Sequence, residues 1–145
     1  MNKKPLIIAL VAALGVAASI LAPVANAQVA NISTTAASSF TGLNLTTTMQ
    51  NASPTTAFSN DGDTVLTIKT GATPVTATLV TQATQMSQDG YGNVGLTNQV
   101  VSVPANSYVL VGPFPQGRWN TPQGTVLVSL TSVSGVSVSA VSVAQ

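Results

Sequence analysis

The chain has 145 residues, 45% of them hydrophobic and only 5% charged, with no histidine and no cysteine. That inventory excludes Ser–His and Cys–His nucleophiles, disulfide stapling and the usual zinc ligands. With few carboxylates and no imidazole it leaves little for acid–base catalysis, and no basic surface for nucleic acid. The sequence therefore reads as a non-enzymatic protein that needs no cofactor, metal or small-molecule substrate.

At the N-terminus Lys3 and Lys4 precede an uncharged, almost wholly apolar run from Pro5 to Ala22, and Ala25-Asn26-Ala27 follows it. A basic head, an apolar stretch and a small-x-small site form a secretory signal peptide. Residues 1–27 are thus expected to be a hydrophobic helix that is cleaved to leave Gln28 first. The alternative is retention as a membrane anchor, the only membrane contact the sequence offers, because the seventeen-residue stretch from Leu6 to Ala22 lies at the short limit for a span. The absence of cysteine leaves no lipidation site. Either way the chain is exported, to the exterior, a cell surface or a virion surface. Beyond the leader only Lys69 and Arg118 stand against Asp61, Asp63 and Asp89. The remaining roughly 120 residues suffice for one ordinary hydrophobic core.

Residues 28–59 read as an N-terminal extension and first strand, and residues 60–145 as the body. In the extension Leu43, Leu45, Thr47 and Met49 share one face of a period-two pattern, so a strand ending at Met49 is expected. That strand either completes its own sheet or adds to a neighbour's sheet through Leu43, Leu45 and Met49. The sequons at Asn31, Asn44 and Asn51 matter only in a host that glycosylates them. Asn60-Asp61-Gly62-Asp63 predicts a tight turn, since a calcium loop would need further oxygen ligands and a closing glutamate. Alternating stripes follow at Leu66 and Ile68, at Val75, Ala77 and Leu79, at Val101 and Val103, and at Val126, Val128 and Leu130. Tyr108 to Val111 is apolar on both faces, and Thr70 to Pro74 is a connection.

Gln82 to Asn98 reads as a long polar loop around Tyr91. Gly112 to Gly124 is a Pro/Gly-rich loop that holds Phe114, Arg118 and Trp119. Phe114 and Trp119 either plug one end of the body or, with Arg118 and Tyr91, anchor an interface, because Trp and Arg are enriched at contact hot spots. In the last strand Val136, Val138 and Ala140 follow one face and Val141 and Val143 the other, which predicts a β-bulge near Ala140. Short strands bounded by Gly, Pro, Asn and Asp, with no helical period after Ala27, predict an all-β fold. Its expected form is a single antiparallel β-sandwich, Ig-like or jelly-roll-like.

Several of these segments resemble small structural proteins of tailed phages and prophages. The resemblance runs through Asn60-Asp61-Gly62 into Val65-Leu66-Thr67-Ile68-Lys69, the Val101-Ser102-Val103-Pro104-Ala105 step and Gly112-Pro113-Phe114-Pro115 before Trp119-Asn120. It continues in Gly124 to Val128 and Gly135-Val136-Ser137-Val138. It implies a compact β-sandwich associated with the capsid exterior, as a decoration or head-fibre-like subunit, with shell proteins or further copies of itself as partners. The leader points instead to a secreted surface filament or matrix subunit, and a secreted binding module is a third possibility. The low charge supports assembly, since a free soluble domain carries far more charged surface.

Overall fold

The β-branched stripes fold into strands whose inward residues meet in one core. The computed structural model describes residues 29–37, 43–90 and 92–143. The leader and its expected helix, and Tyr91, lie outside the described residues. Among the described residues the fold is all-β, with two larger sheets, a separate hairpin and two single-turn helices.

Sheet A contains β1 (Val29–Ile32), β4 (Thr55–Ser59), β6 (Val75–Val80), β9 (Gln99–Val103) and β11 (Thr125–Leu130), in the order β1-β4-β11-β6-β9. Sheet B has the order β10-β5-β12-β2, from β2 (Thr34–Ala37), β5 (Thr64–Lys69), β10 (Tyr108–Val111) and β12 (Ser137–Val143). The two-residue β3 (Gln50–Asn51) also pairs with β12. Most connections pass from one sheet to the other: β4 to β5, β5 to β6, β9 to β10, β10 to β11 and β11 to β12.

Both sheets contribute to a single hydrophobic cluster. Phe58, Val75, Ala77, Leu79, Val103, Val126 and Val128 come from sheet A, and Leu66, Ile68, Val138 and Ala140 from sheet B. Each fully buried Val, Leu, Ile or Phe side chain stabilises the fold by about 1.5–3 kcal/mol relative to exposure.

The pairing is antiparallel within the body but mixed at one flank. β1 runs parallel to β4 (Val29 opposite Thr55, Ile32 opposite Phe58), and β2 runs parallel to β12 (Thr34 opposite Ala140, Ala37 opposite Val143). Residues 29–37 are thus one extended segment that changes sheets at Ser33, pinned there by the Thr34 hydroxyl donating to the Ser59 carbonyl at 2.9 Å. The segment completes its own chain's sheets.

Four expectations are corrected. The strand expected to end at Met49 is instead a helical turn, α1 (Leu45–Thr48). The Asn44 side chain accepts from the Thr46 N–H, and the Thr47 and Thr48 hydroxyls donate back to the Asn44 and Leu45 carbonyls. These local bonds outcompete the period-two pattern. Second, the expected loop 82–98 contains a hairpin of β7 (Gln85–Gln88) and β8 (Gly92–Gly95), with Met86 opposite Val94. Third, the loop 112–124 contains one helical turn, α2 (Gln116–Trp119). Fourth, β12 has no bulge: it pairs with β5 without interruption from Ser137 opposite Lys69 to Ser142 opposite Thr64. The change of stripe arises because both faces of β12 are covered. Val138 and Ala140 are buried on one side, Ser139 and Val141 on the other. α1 lies over that outer side, with the Thr48 and Ser139 hydroxyls 2.7 Å apart.

Candidate functional site

The residues expected to carry contacts separate into two groups when placed on the fold. The first lies at the end of the body formed by the β4–β5 turn, the 112–124 connection and the base of the hairpin. Phe114 and Trp119 are buried here, 2% and 4% exposed, so they plug this end. Phe114 packs against Phe58 with the rings tilted at 59° and centroids 5.4 Å apart, and Trp119 meets Phe114 edge-on at 6.1 Å. Gly112 sits where the chain turns inward at φ 128°, and a Cβ there would lie 2.9 Å from the Thr64 carbonyl oxygen. Only glycine allows that approach.

Arg118 is half-buried and works from the solvent side of this plug. Its guanidinium lies 4.4 Å above the Trp119 ring, and its Nη2 donates to the Thr97 carbonyl at 3.2 Å. Its own carbonyl accepts the N–H groups of Gln82 and Ala83. Arg118 therefore clamps both legs of the β7–β8 hairpin to the body, which sequence reasoning missed.

The Asn60–Asp63 turn forms and is held by side chains. Asn60 is buried, accepts the Gly62 N–H, and donates its amide to the Phe114 carbonyl at 2.7 Å and the Asn120 side chain at 2.6 Å. Asn120 returns a bond to the Asn60 carbonyl at 3.0 Å. Asp61 accepts from the Ser142 hydroxyl, the Asp63 N–H and the Thr64 hydroxyl. These bonds, Ser142 foremost, hold its carboxyl below the usual carboxylate range.

A depressed folded pKa means stability that is complete above the unfolded value, near pH 4, and is lost as pH falls through the folded value. Thermal melts of the wild type should therefore show an acid limb below about pH 4. Asp61→Asn should flatten that limb, and equal acid slopes in both proteins would remove Asp61 as its source.

The second group is at the flanks and surfaces. Leu43, Leu45 and Met49 are half-buried around α1 and are not aligned on a strand edge. The large exposed hydrophobics are instead Val29, Met86, Val94, Val100, Tyr108, Leu110 and Val143. Three of them lie on the two strands that end the sheets: Val100 on β9 of sheet A, 65% exposed, and Tyr108 and Leu110 on β10 of sheet B, the latter 63% exposed. Lys69 on the neighbouring β5 places its ammonium 5.4 Å from the Tyr108 ring centroid. The signal that could have found this flank is the apolar-on-both-faces run Tyr108 to Val111 in an edge strand.

The chemistry elsewhere is sparse. An open depression of about 240 Å³ is lined by Asp63, Val65, Pro113 and Val143. It is smaller than the usual ligand pocket and gathers a single carboxylate. Among the described residues no three acidic, histidine or cysteine side chains come together as a metal site. Comparisons of the chain with protein-family models, with curated proteins and with solved structures find no match.

Proposed function

We propose that the chain is a non-enzymatic structural subunit that assembles through its β edges and loops, as a decoration-like protein on the surface of a virion. Its two sheets are read as the leaves of a sandwich of Ig-like or jelly-roll-like type, in line with the phage and prophage proteins that the sequence resembles. The observation that carries the reading is the β9–β10 flank. Its strands, Gln-Val-Val-Ser-Val and Tyr-Val-Leu-Val, hold no charge and no proline and expose large apolar side chains. Natural sheets protect such edges with charge, proline or bulges unless a partner covers them. Partners on this reading are shell proteins or further copies of the chain.

A second reading, a secreted surface filament or matrix subunit, is favoured by the leader through Ala25-Asn26-Ala27. Both place the working protein outside the cell or on a particle, with Gln28 as its first residue after cleavage. Mass spectrometry of phage particles, and of filaments sheared from cells that carry the gene, separates them. Peptides of the chain in purified particles are the expected result, and enrichment in filaments would favour the second reading. A monomer found only in the soluble medium would leave a secreted binding module. N-terminal peptides beginning at Gln28 would report cleavage, whereas peptides from residues 1–27 in assembled material would report a retained anchor.

A further inference from the structure

The two flanks of the body are finished differently. At one, the segment 29–37 bridges the sheets, as β1 on sheet A and then as β2 on sheet B. At the other, β9 ends sheet A and β10 ends sheet B, and among the described residues no strand lies beyond either. β9 and β10 are consecutive, joined by the short connection 104–107, so the two open edges meet at that connection on the same flank. We infer that this flank is a homodimer contact in which β9 pairs with β9, and β10 with β10, of a second copy.

The choice of occupant follows from having two edges to satisfy at once. A single extended peptide adds to one edge and leaves the other row of N–H and C=O groups in water. A second copy, turned about a two-fold axis along the sheet normal, meets both. That operation reverses strand direction within each sheet, so β9 with β9 and β10 with β10 are both antiparallel, and each sheet of one copy continues into the same sheet of the other. The outer side chains agree with it. With the axis at Val109, Tyr108 and Leu110 of one β10 lie beside Leu110 and Tyr108 of the other, an aromatic–aliphatic pairing of the kind that stabilises sheets. On sheet A the outward residues of β9 are Val100 and Ser102, uncharged and free of bulk that would clash across the pair. No like charges are brought into opposition on these strands, because neither carries any. The bridging flank does not lend itself to the same symmetry. β1 and β2 occupy successive stretches of one segment, each on a different sheet, so a two-fold axis that brings β1 onto β1 would not also bring β2 onto β2.

This inference rests on the reading of the chain as an assembling subunit and specifies its first contact. The test uses the purified protein in sedimentation equilibrium, together with a Val100→Lys/Leu110→Lys double variant. Both side chains are exposed in the single chain, so the variant should still fold and give a cooperative thermal melt. Wild type is expected to sediment as a dimer or a multiple of one, and the variant should lose this contact, sedimenting as a monomer unless another flank also associates. Because the chain has no cysteine, single replacements Gln99→Cys, Val100→Cys and Ser102→Cys provide a second measurement that does not depend on the lysine variant folding. Directly opposed residues of an antiparallel pair lie within disulfide reach. On a two-fold axis either one residue opposes its own copy or two successive residues oppose each other. With Val101→Cys added to the set, a two-fold contact should therefore give a strong disulfide-linked dimer at one position, or in the mixture of two adjacent single variants, under mild oxidation. Wild type that associates while the lysine variant associates equally and no cysteine on β9 cross-links would overturn this contact and leave the assembling-subunit reading standing. Wild type that remains a monomer at high concentration, with no affinity for particles or filaments, would overturn both.

Discussion

Trp119→Ala is expected to lower the free energy of unfolding by about 3–5 kcal/mol, the range for truncating a large aromatic in a packed core. The indole is 4% exposed, meets Phe114 edge-on and carries the Arg118 guanidinium on its outer face. Its removal opens a cavity at the end of the body and releases the clamp on the hairpin at the same time. Urea denaturation followed by far-ultraviolet circular dichroism measures the loss, and Met86→Ala, a change at an exposed site on the hairpin, supplies the control with little effect. A Trp119→Ala protein of unchanged stability that had lost only its ability to assemble would move the ring from the core to a contact.

Replacing Asn60 by alanine is the second large effect. The Phe114 carbonyl can only accept, which fixes the Asn60 amide as donor in the 2.7 Å bond, and the same nitrogen serves Asn120 at 2.6 Å. Asn60→Ala deletes both bonds and the acceptor for the Gly62 N–H. Each buried polar group left without a partner costs about 1–3 kcal/mol, so a loss of about 2–4 kcal/mol is expected. Because Asn60 ties the β4–β5 turn to the 112–124 connection, the variant should also show faster amide hydrogen exchange at Phe114 to Asn120. An unchanged exchange pattern there would mean that the connection holds itself.

The strands that were legible in the sequence are those with one face in the core. Leu66 and Ile68, Val75 to Leu79, Val126 to Leu130 and the Val101–Val103 pair all lie in strands. Their alternation records one-sided burial directly. Where burial or local bonding departs from that rule the pattern misleads. β12 is covered on both faces and imitates a bulge. Leu43 to Met49 alternates, yet Asn44 and two threonine hydroxyls close a helical turn. The hairpin β7–β8 had a signal in Asp89-Gly90, a turn dipeptide, with Gly90 at φ 83°. Its polar strands bury nothing that would have marked them. Of the candidate contact residues, Trp119 and Phe114 could be singled out by type but not by role, since the same rings suit a plug or a hot spot. The exposed Val100 and Leu110 look in sequence like any core valine or leucine. What distinguishes them is a place on edge strands, which depends on the order of strands in each sheet.

The segment that changes sheets at Ser33 also sets the timetable of folding. Thr34 finds Ala140, and Ala37 finds Val143, across almost the whole described chain. β12 is itself the strand that joins β5 to β2. Sheet B thus stays in pieces until the residues around 137–143 have been synthesised, and β2, close to the start of the described chain, is among the last strands to gain its partner. Pairings this distant in sequence must meet the loop-closure entropy before they contribute anything, which places such topologies among the slow folders. A nascent copy therefore passes through a stage in which β5 has only β10 beside it and the interior valines face water. That stage exposes it to the wrong neighbours.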